Sequence, residues 1–179
     1  MATKDELKAK ARAAIEQRKE WIIDVSKTIL DNPEAGFQEV KTARLVNEKL
    51  AELGIPHETG IALTGIKGRL SGGSSGPTVA VMGELDSLRV LDHPKADPQT
   101  GAAHACGHHA QIGMLLGAAV GLLAPEVMSS LGGSVALIAV PAEEFIDVEY
   151  RWNLHQEGKL GLIFLEMRRA AEDLVKLVG

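Results

Sequence analysis

The sequence predicts an α/β fold, a central mixed sheet flanked by helices, and three observations carry that expectation. Two short apolar runs, TVAVMG at 78–83 and SVALIAV at 134–140, suit strands buried on both faces. Apolar residues recur at helical spacing before, between and after those runs. The 179-residue chain is 45% hydrophobic but only 3% aromatic, so its core must be built from Ala, Val, Leu and Ile, as where helices pack on a buried sheet.

Along the chain, Thr3-x-x-Glu6 has the form of a capping box. Leu7, Ala11, Ala14, Ile15, Ile22, Val25 and Ile29 then keep helical spacing until Asn32-Pro33, which predicts one long amphipathic helix over 3–31. After the turn-like NPEAGFQE, the stripe Val40, Ala43, Val46, Leu50, Leu53 predicts a second helix, ended by Gly54 and blocked by Pro56. The pattern from Ile61 to Leu70 is β-like. The turn SGGSSGP then leads into TVAVMG, and the two strands are expected to lie side by side as an antiparallel pair, which would make the sheet mixed.

Residues 84–104 are polar, rich in Asp, Pro and His, and long for a connection inside a domain, which suggests a functional loop. A helix of small residues is expected from about Gly107. SVALIAV is expected to end at Pro141. A final helical stripe runs through Leu160, Phe164, Met167, Ala171, Leu174 and Val178. With no repeat and no linker, residues 1–179 read as a single domain.

Composition narrows the functional classes. A net charge of −5 and few aromatic rings argue against a nucleic-acid partner, which needs concentrated Lys and Arg and surfaces for base stacking. The first twenty residues carry both signs of charge, unlike a signal peptide, and no apolar stretch approaches the ~18 residues a membrane span needs. Cys106 is the only cysteine and has no internal disulfide partner. A cytoplasmic, reducing setting is expected.

In open α/β sheets ligands gather at the carboxyl ends of strands, and both buried runs end in acids: Glu84 and Asp86 after the first, Glu143 and Glu144 after the second. Neighbouring carboxylates at a buried strand end repel one another and need a cation or a shared proton. The segment 104–109, His-Ala-Cys-Gly-His-His, adds thiol and imidazole donors of the kind zinc and related metals select, with Gly107 letting the backbone bend between them. Read alone, Cys106 is most simply a small buried residue, and Glu143-Glu144 a solvated helix start. Read together, they favour a metal site. His57, His93 and His155 are most simply exposed loop or helix-end residues.

The segments NPEAGFQE, GELDSL, HACGHHAQIGMLLGAA and PAEE, in that order, resemble the aminoacylase- and carboxypeptidase-like metal amidohydrolases of peptidase family M20. The similarity is greatest to the branch of indole-acetyl-amino-acid, N-acyl-amino-acid and aminobenzoyl-glutamate hydrolases, and it covers about 20–160. It implies the first half of a zinc-exopeptidase catalytic domain and hydrolysis of an amide in a small N-acyl amino acid or related conjugate. Two divalent transition-metal ions would serve it, Zn or Mn with Co as a further option. Carried over by position, Cys106, His108 and Glu144 are metal ligands. Glu143 is the general base that accepts a proton from water and returns it to the leaving amine. Asp86 supports an imidazole or the metal from behind, and His104 could do likewise. His109 departs from the pattern, standing where many relatives carry an acid.

Full members of the family are roughly twice as long. The resemblance therefore implies a partial catalytic domain, with the lid and dimerisation domain and the carboxy-terminal catalytic segment absent. The alternative expectation is a truncated or split-gene fragment that binds metal, a copy of itself or a complementary chain without catalysing. A third is a regulatory thiol protein in which Cys106 senses oxidation.

Overall fold

A computed structural model describes residues 2–144 and 146–175. Three helices open the chain: α1 (Lys4–Gln17), α2 (Lys19–Leu30) and α3 (Val40–Glu52). The capping box forms, with the Glu6 N–H donating to Thr3 Oγ1 at 3.3 Å and the Thr3 N–H to Glu6 Oε2 at 2.7 Å. The predicted long helix is broken at Arg18 (φ −102°, ψ 9°). Its N–H is shared between Ala14 and Ile15 carbonyls, and its guanidinium reaches Glu52 Oε1 at 3.3 Å. Sequence periodicity runs through this bend because Ile15 and Ile22 are two turns apart on either side of it.

The strands are β1 (His57–Ile61), β2 (Gly65–Ser71), β3 (Ser74–Glu84), β4 (Leu88–Arg89), β5 (Ala102–Ala103) and β6 (Gly132–Val140). Helix α4 (His108–Leu122) lies between the last two, and α5 (Val148–Gln156) and α6 (Lys159–Val175) follow. The main sheet has the order β1-β2-β6-β3 and is mixed: β1-β2 and β2-β6 are antiparallel, β6-β3 parallel. The expected antiparallel pair joined by the Gly-Ser turn does not form. Strand β6 enters between β2 and β3, because a central position buries its ALIA segment between two partners. The β-like segment from Ile61 also resolves into a hairpin, with β1 starting earlier and the turn at 62–64.

The main core lies between one sheet face and α2, α3 and α4. Val25, Ile29, Val46, Leu50, Ile66, Ile112, Leu115, Leu116 and Leu137 meet there. Each large aliphatic side chain so buried contributes about 1.5–3 kcal/mol. The other face is only partly covered: α6 buries Ile163, whereas Met82 of β3 remains 58% exposed. On the helix-covered face Val79, paired with Val135 at the outer strand, is 59% exposed.

Asp147 caps α5 by accepting the Glu149 and Tyr150 N–H groups at 3.0 and 3.1 Å, a helix that the absence of an apolar stripe hides in sequence. In α6 the inward residue is Ile163, while Phe164, on the predicted stripe, is 61% exposed. Val178 of that stripe lies outside the described residues. Among those residues no helix is long and apolar enough to cross a membrane.

Candidate metal centre

Parallel pairing of β3 and β6 sets Glu84 opposite Val140, so both strands end at one edge. The Leu85 N–H still donates to the Val140 carbonyl at 2.8 Å. Beyond that point the chains part, one delivering Asp86 and the other Pro141-Ala142-Glu143-Glu144. The 84–104 loop returns through the β4-β5 ladder and an Asp97-centred turn, in which Oδ1 accepts the Gln99 and Thr100 N–H groups. It therefore arrives at Cys106 as an ordered segment. Gly107 (φ 104°) then turns the chain into α4, in a conformation that favours glycine. Helix α4 can approach β3 because Gly83 has no side chain: a Cβ there would stand 3.2 Å from the Gln111 backbone.

These elements bring Cys106, His108 and Glu144 together, with one potential donor atom from each lying within 4.8 Å of the others. Glu84, His108 and Glu143 form a second group by the same measure, so His108 is common to both. The imidazole of His108, 2% exposed, is held from both sides. Nδ1 lies 2.9 Å from the Asp86 carbonyl and 3.2 Å from Asp86 Oδ1. Nε2 lies 2.8 Å from Glu84 Oε2 and 3.9 Å from Glu143 Oε2. Two acceptors at Nδ1 favour a hydrogen there, leaving the Nε2 lone pair facing a carboxylate oxygen. At 2.8 Å that pair needs a proton or a cation between them. Thiol, imidazole and three carboxylates are also the donor types a borderline divalent metal selects, so the residues fit such an ion.

The thiol stands in anionic surroundings. A hydrogen bond to Glu144, then desolvation and the nearby charges of Glu144, Glu143 and Glu84, hold the exposed Cys106 thiol above its ordinary pKa. A thiolate here, whether redox-active or metal-bound, therefore calls for a nearby cation to offset these carboxylates.

His104 and His109 belong to neither donor group; their rings stand 5.5 Å apart and tilted. Burial, then the charges of His109 and His108, depress His104 to about 4 against a weaker opposing pull from Asp86. Burial likewise lowers His109, with smaller contributions from His108 and Lys95. Both His104 ring nitrogens, and Nδ1 of His109, are buried without a hydrogen-bond partner among the described residues. His57 is half-buried at the start of β1, with its ring nitrogens 2.7 Å from Ile55 O and Asn47 Oδ1. His93 accepts the Lys95 N–H, and His155 ends α5 beside Trp152.

Three acids matter more than sequence suggested. Glu84 receives the Gln111 side-chain N–H at 2.7 Å, and its own N–H donates to Gln111 Oε1 at 3.3 Å, so α4 clamps it beside His108. Glu34 accepts the Lys41 and Thr42 N–H groups at the start of α3, while its carbonyl receives both the N–H and the hydroxyl of Ser87 at 2.9 Å. Glu39 is fully buried against Thr64 and Ala142. The signal for the last two was their place in NPEAGFQE, but only the fold shows what they touch.

This architecture, a mixed four-stranded sheet flanked by helices with a donor cluster at one sheet edge, is that of a metallopeptidase-type α/β fold. By sequence and fold together, the chain belongs with the carboxypeptidases and amidohydrolases of the M20 family. Thermostable carboxypeptidase 2 of Saccharolobus solfataricus is 36% identical over 143 residues, covering 78% of this chain and 36% of the relative. IAA-amino acid hydrolase ILR1-like 5 of Arabidopsis thaliana is 36% identical over 128 residues, covering 70% and 29%. Among solved structures, the YXEP protein of Bacillus subtilis, a dinuclear metal binding peptidase of the M20 family, superposes with a TM-score of 0.61 at 28% identity, over 74% of this chain and 36% of that one. The aminobenzoyl-glutamate utilization protein of Klebsiella pneumoniae shares the fold at TM-score 0.56 and 20% identity, over 73% and 38%. No profile of a known family matches the chain. The chain spans about a third of the length of the relatives it matches.

Proposed function

We propose that this chain carries the amino-terminal catalytic segment of a metal-dependent hydrolase that cleaves amide bonds in N-acyl amino acids or related small conjugates. The observation that carries the reading is the shared His108, which joins a Cys106-Glu144 group to a Glu84-Glu143 group at one sheet edge. Cys106, His108 and Glu144 would hold one divalent ion, zinc, manganese or cobalt, with Glu84 and Glu143 bordering the place of a second. Such ions supply Lewis acidity toward the scissile carbonyl.

The remaining work falls to the chain's own groups. Glu143 is exposed on the open side of the centre. Its carboxylate takes a proton from the attacking water as the water oxygen bonds to the acyl carbon. It returns that proton to nitrogen as the C–N bond breaks, releasing the amine and the carboxylic acid, whose remaining proton is lost to solvent. Asp86 holds His108 and the Glu144 N–H in place and touches no substrate. A reducing, cytoplasmic setting suits the unpaired thiol.

A second reading is favoured by the outer edge of β3, which pairs with no further strand among the described residues, and by the exposed Val79 and Met82 on its two faces. In it the segment acts only when joined to a complementary polypeptide that covers them. Both readings are tested with cobalt as the probe. The wild-type chain is expected to develop a thiolate-to-cobalt absorption band that Cys106→Ser abolishes and Glu143→Gln keeps. Hydrolysis of N-acetyl amino acids, assayed alone and with the carboxy-terminal two-thirds of a homologous hydrolase added, separates the readings. Turnover by Glu143→Gln would remove Glu143 from its role.

A further inference from the structure

Glu39 stands far from the metal donors in sequence and takes no part in the hydrolysis just described, yet its carboxylate is 0% exposed. Oε1 accepts the Ala142 N–H at 2.8 Å, and Oε2 accepts the Thr64 hydroxyl at 2.7 Å. Both contacts fall at irregular backbone. Ala142 has φ 50°, and Ala62 and Leu63, just before Thr64, have φ 49° and 78°. Non-glycine residues hold such angles only where their surroundings over-determine them. Glu39 thus bolts the hairpin turn of β1-β2 to the turn that follows β6.

The second of those turns is the one that matters. Ala142 immediately precedes Glu143 and Glu144, and the Glu144 N–H is fixed in turn by Asp86 Oδ2 at 2.9 Å. The acidic pair therefore hangs between two buried carboxylates, Glu39 on one side and Asp86 on the other. Resting on the hydrolase reading above, we propose that Glu39 is a positioning residue: by holding the Ala142 N–H it fixes the left-handed turn that aims Glu143 and Glu144 at His108. A buried carboxylate is a costly way to satisfy the Thr64 hydroxyl and the N–H groups of Ala142, Phe37 and Glu39 itself, since burial pushes Glu39 up to about 7 despite these hydrogen bonds. An apolar side chain of similar size would avoid that cost but would leave the Ala142 N–H unpaired.

The test compares Glu39→Gln, Glu39→Ala and Glu39→Asp in the full chain. Glutamine keeps an oxygen for the Ala142 N–H and offers its amide N–H to Thr64 Oγ1, so it is the conservative rescue. Two readouts are taken: hydrogen exchange of the Ala142 amide in metal-free protein, and the apparent Kd for cobalt. Glu39→Ala is expected to speed that exchange by about tenfold or more and to weaken cobalt binding by about 10–100-fold. Glu39→Gln should stay within about threefold of wild type in both. Val46→Ala, which loosens α3 from within the core, should lower the melting temperature and leave both readouts in place.

Wild-type behaviour of Glu39→Ala, or the same loosening of Ala142 in Val46→Ala, overturns the proposal. Should Glu39→Ala fail to fold, Glu39→Asp, too short to span both turns, decides by whether Ala142 exchange rises. Absence of cobalt uptake by the wild type would remove the metal reading, and the exchange of Ala142 would still decide whether Glu39 holds the turn.

Discussion

The buried carboxylate of Asp86 accepts the main-chain N–H of Glu144 at 2.9 Å. Its other oxygen lies 3.2 Å from His108 Nδ1, so one side chain orients donors that come from α4 and from the segment after β6. Replacing it with Ala leaves the Glu144 N–H without this acceptor and His108 Nδ1 with only the Asp86 main-chain carbonyl, while Nε2 keeps its contact with Glu84. Asp86→Ala is expected to weaken metal binding by about 10–100-fold, measured by calorimetry. The metal-free protein should lose about 1–3 kcal/mol in urea unfolding, the cost of stranding a buried hydrogen-bonding group.

Glu84 separates the two donor groups. Gln111 fixes its position, and Glu84 Oε2 lies 2.8 Å from His108 Nε2, whereas Cys106 and Glu144 form their group without it. Glu84→Gln is therefore expected to lower the metal content at saturation from about two ions per chain to about one, while the cobalt-thiolate band persists. Metal analysis after dialysis gives the count. Loss of the band together with the second ion would mean that the two groups are not separable.

The fold class was legible because buried strands and helical stripes differ in period and in length, as TVAVMG and the run from Val40 to Leu53 show. Strand order was not. Nothing in SGGSSGP states that β6, sixty residues on, will insert between the strands it joins, and that outcome depends on which run gains most from two neighbours. The donor residues could be read from their chemistry, since thiol, imidazole and paired acids are costly to gather without a cation. Glu39 could not be read that way. In sequence it is one acid among 24 Asp and Glu residues, and its importance arises from contacts with Thr64 and Ala142 that only the tertiary fold creates.

That burial has a consequence for stability. Removal from water pushes Glu39 up to about 7, with Thr64, its own N–H and those of Ala142 and Phe37 pulling weakly the other way. The folded state therefore holds this proton where the unfolded chain, with a pKa near the ordinary 4.5, has released it. Stability from this group is full below about 4.5 and is lost as pH rises through about 7. The loss is about 3 kcal/mol at most. Glu39→Gln, which has no proton to lose, should show a flatter stability profile than wild type across this window in metal-free urea unfolding. Parallel profiles would show that Glu39 is already ionised in the folded protein.

Gly107 offers a cleaner separation of backbone from ligand effects. Its φ of 104° disfavours any side chain, yet a Cβ placed there meets no atom within 4 Å. The cost of Gly107→Ala is therefore conformational, about 1–2 kcal/mol, with no steric addition. If the backbone keeps its angle, metal-free protein should lose only that amount, and the increment of stability gained on adding metal should match the wild type. If the backbone relaxes, Cys106 and His108 on either side of it move relative to one another. The metal-dependent increment then shrinks in proportion to RT ln of the weakened binding. The second outcome is expected, because a single residue separates two donors whose atoms must lie within 4.8 Å of each other and of Glu144. Paired urea titrations, with and without saturating cobalt, measure both quantities on the same variant, and an increment equal to that of wild type would show that the bend at Gly107 does not set the donor geometry.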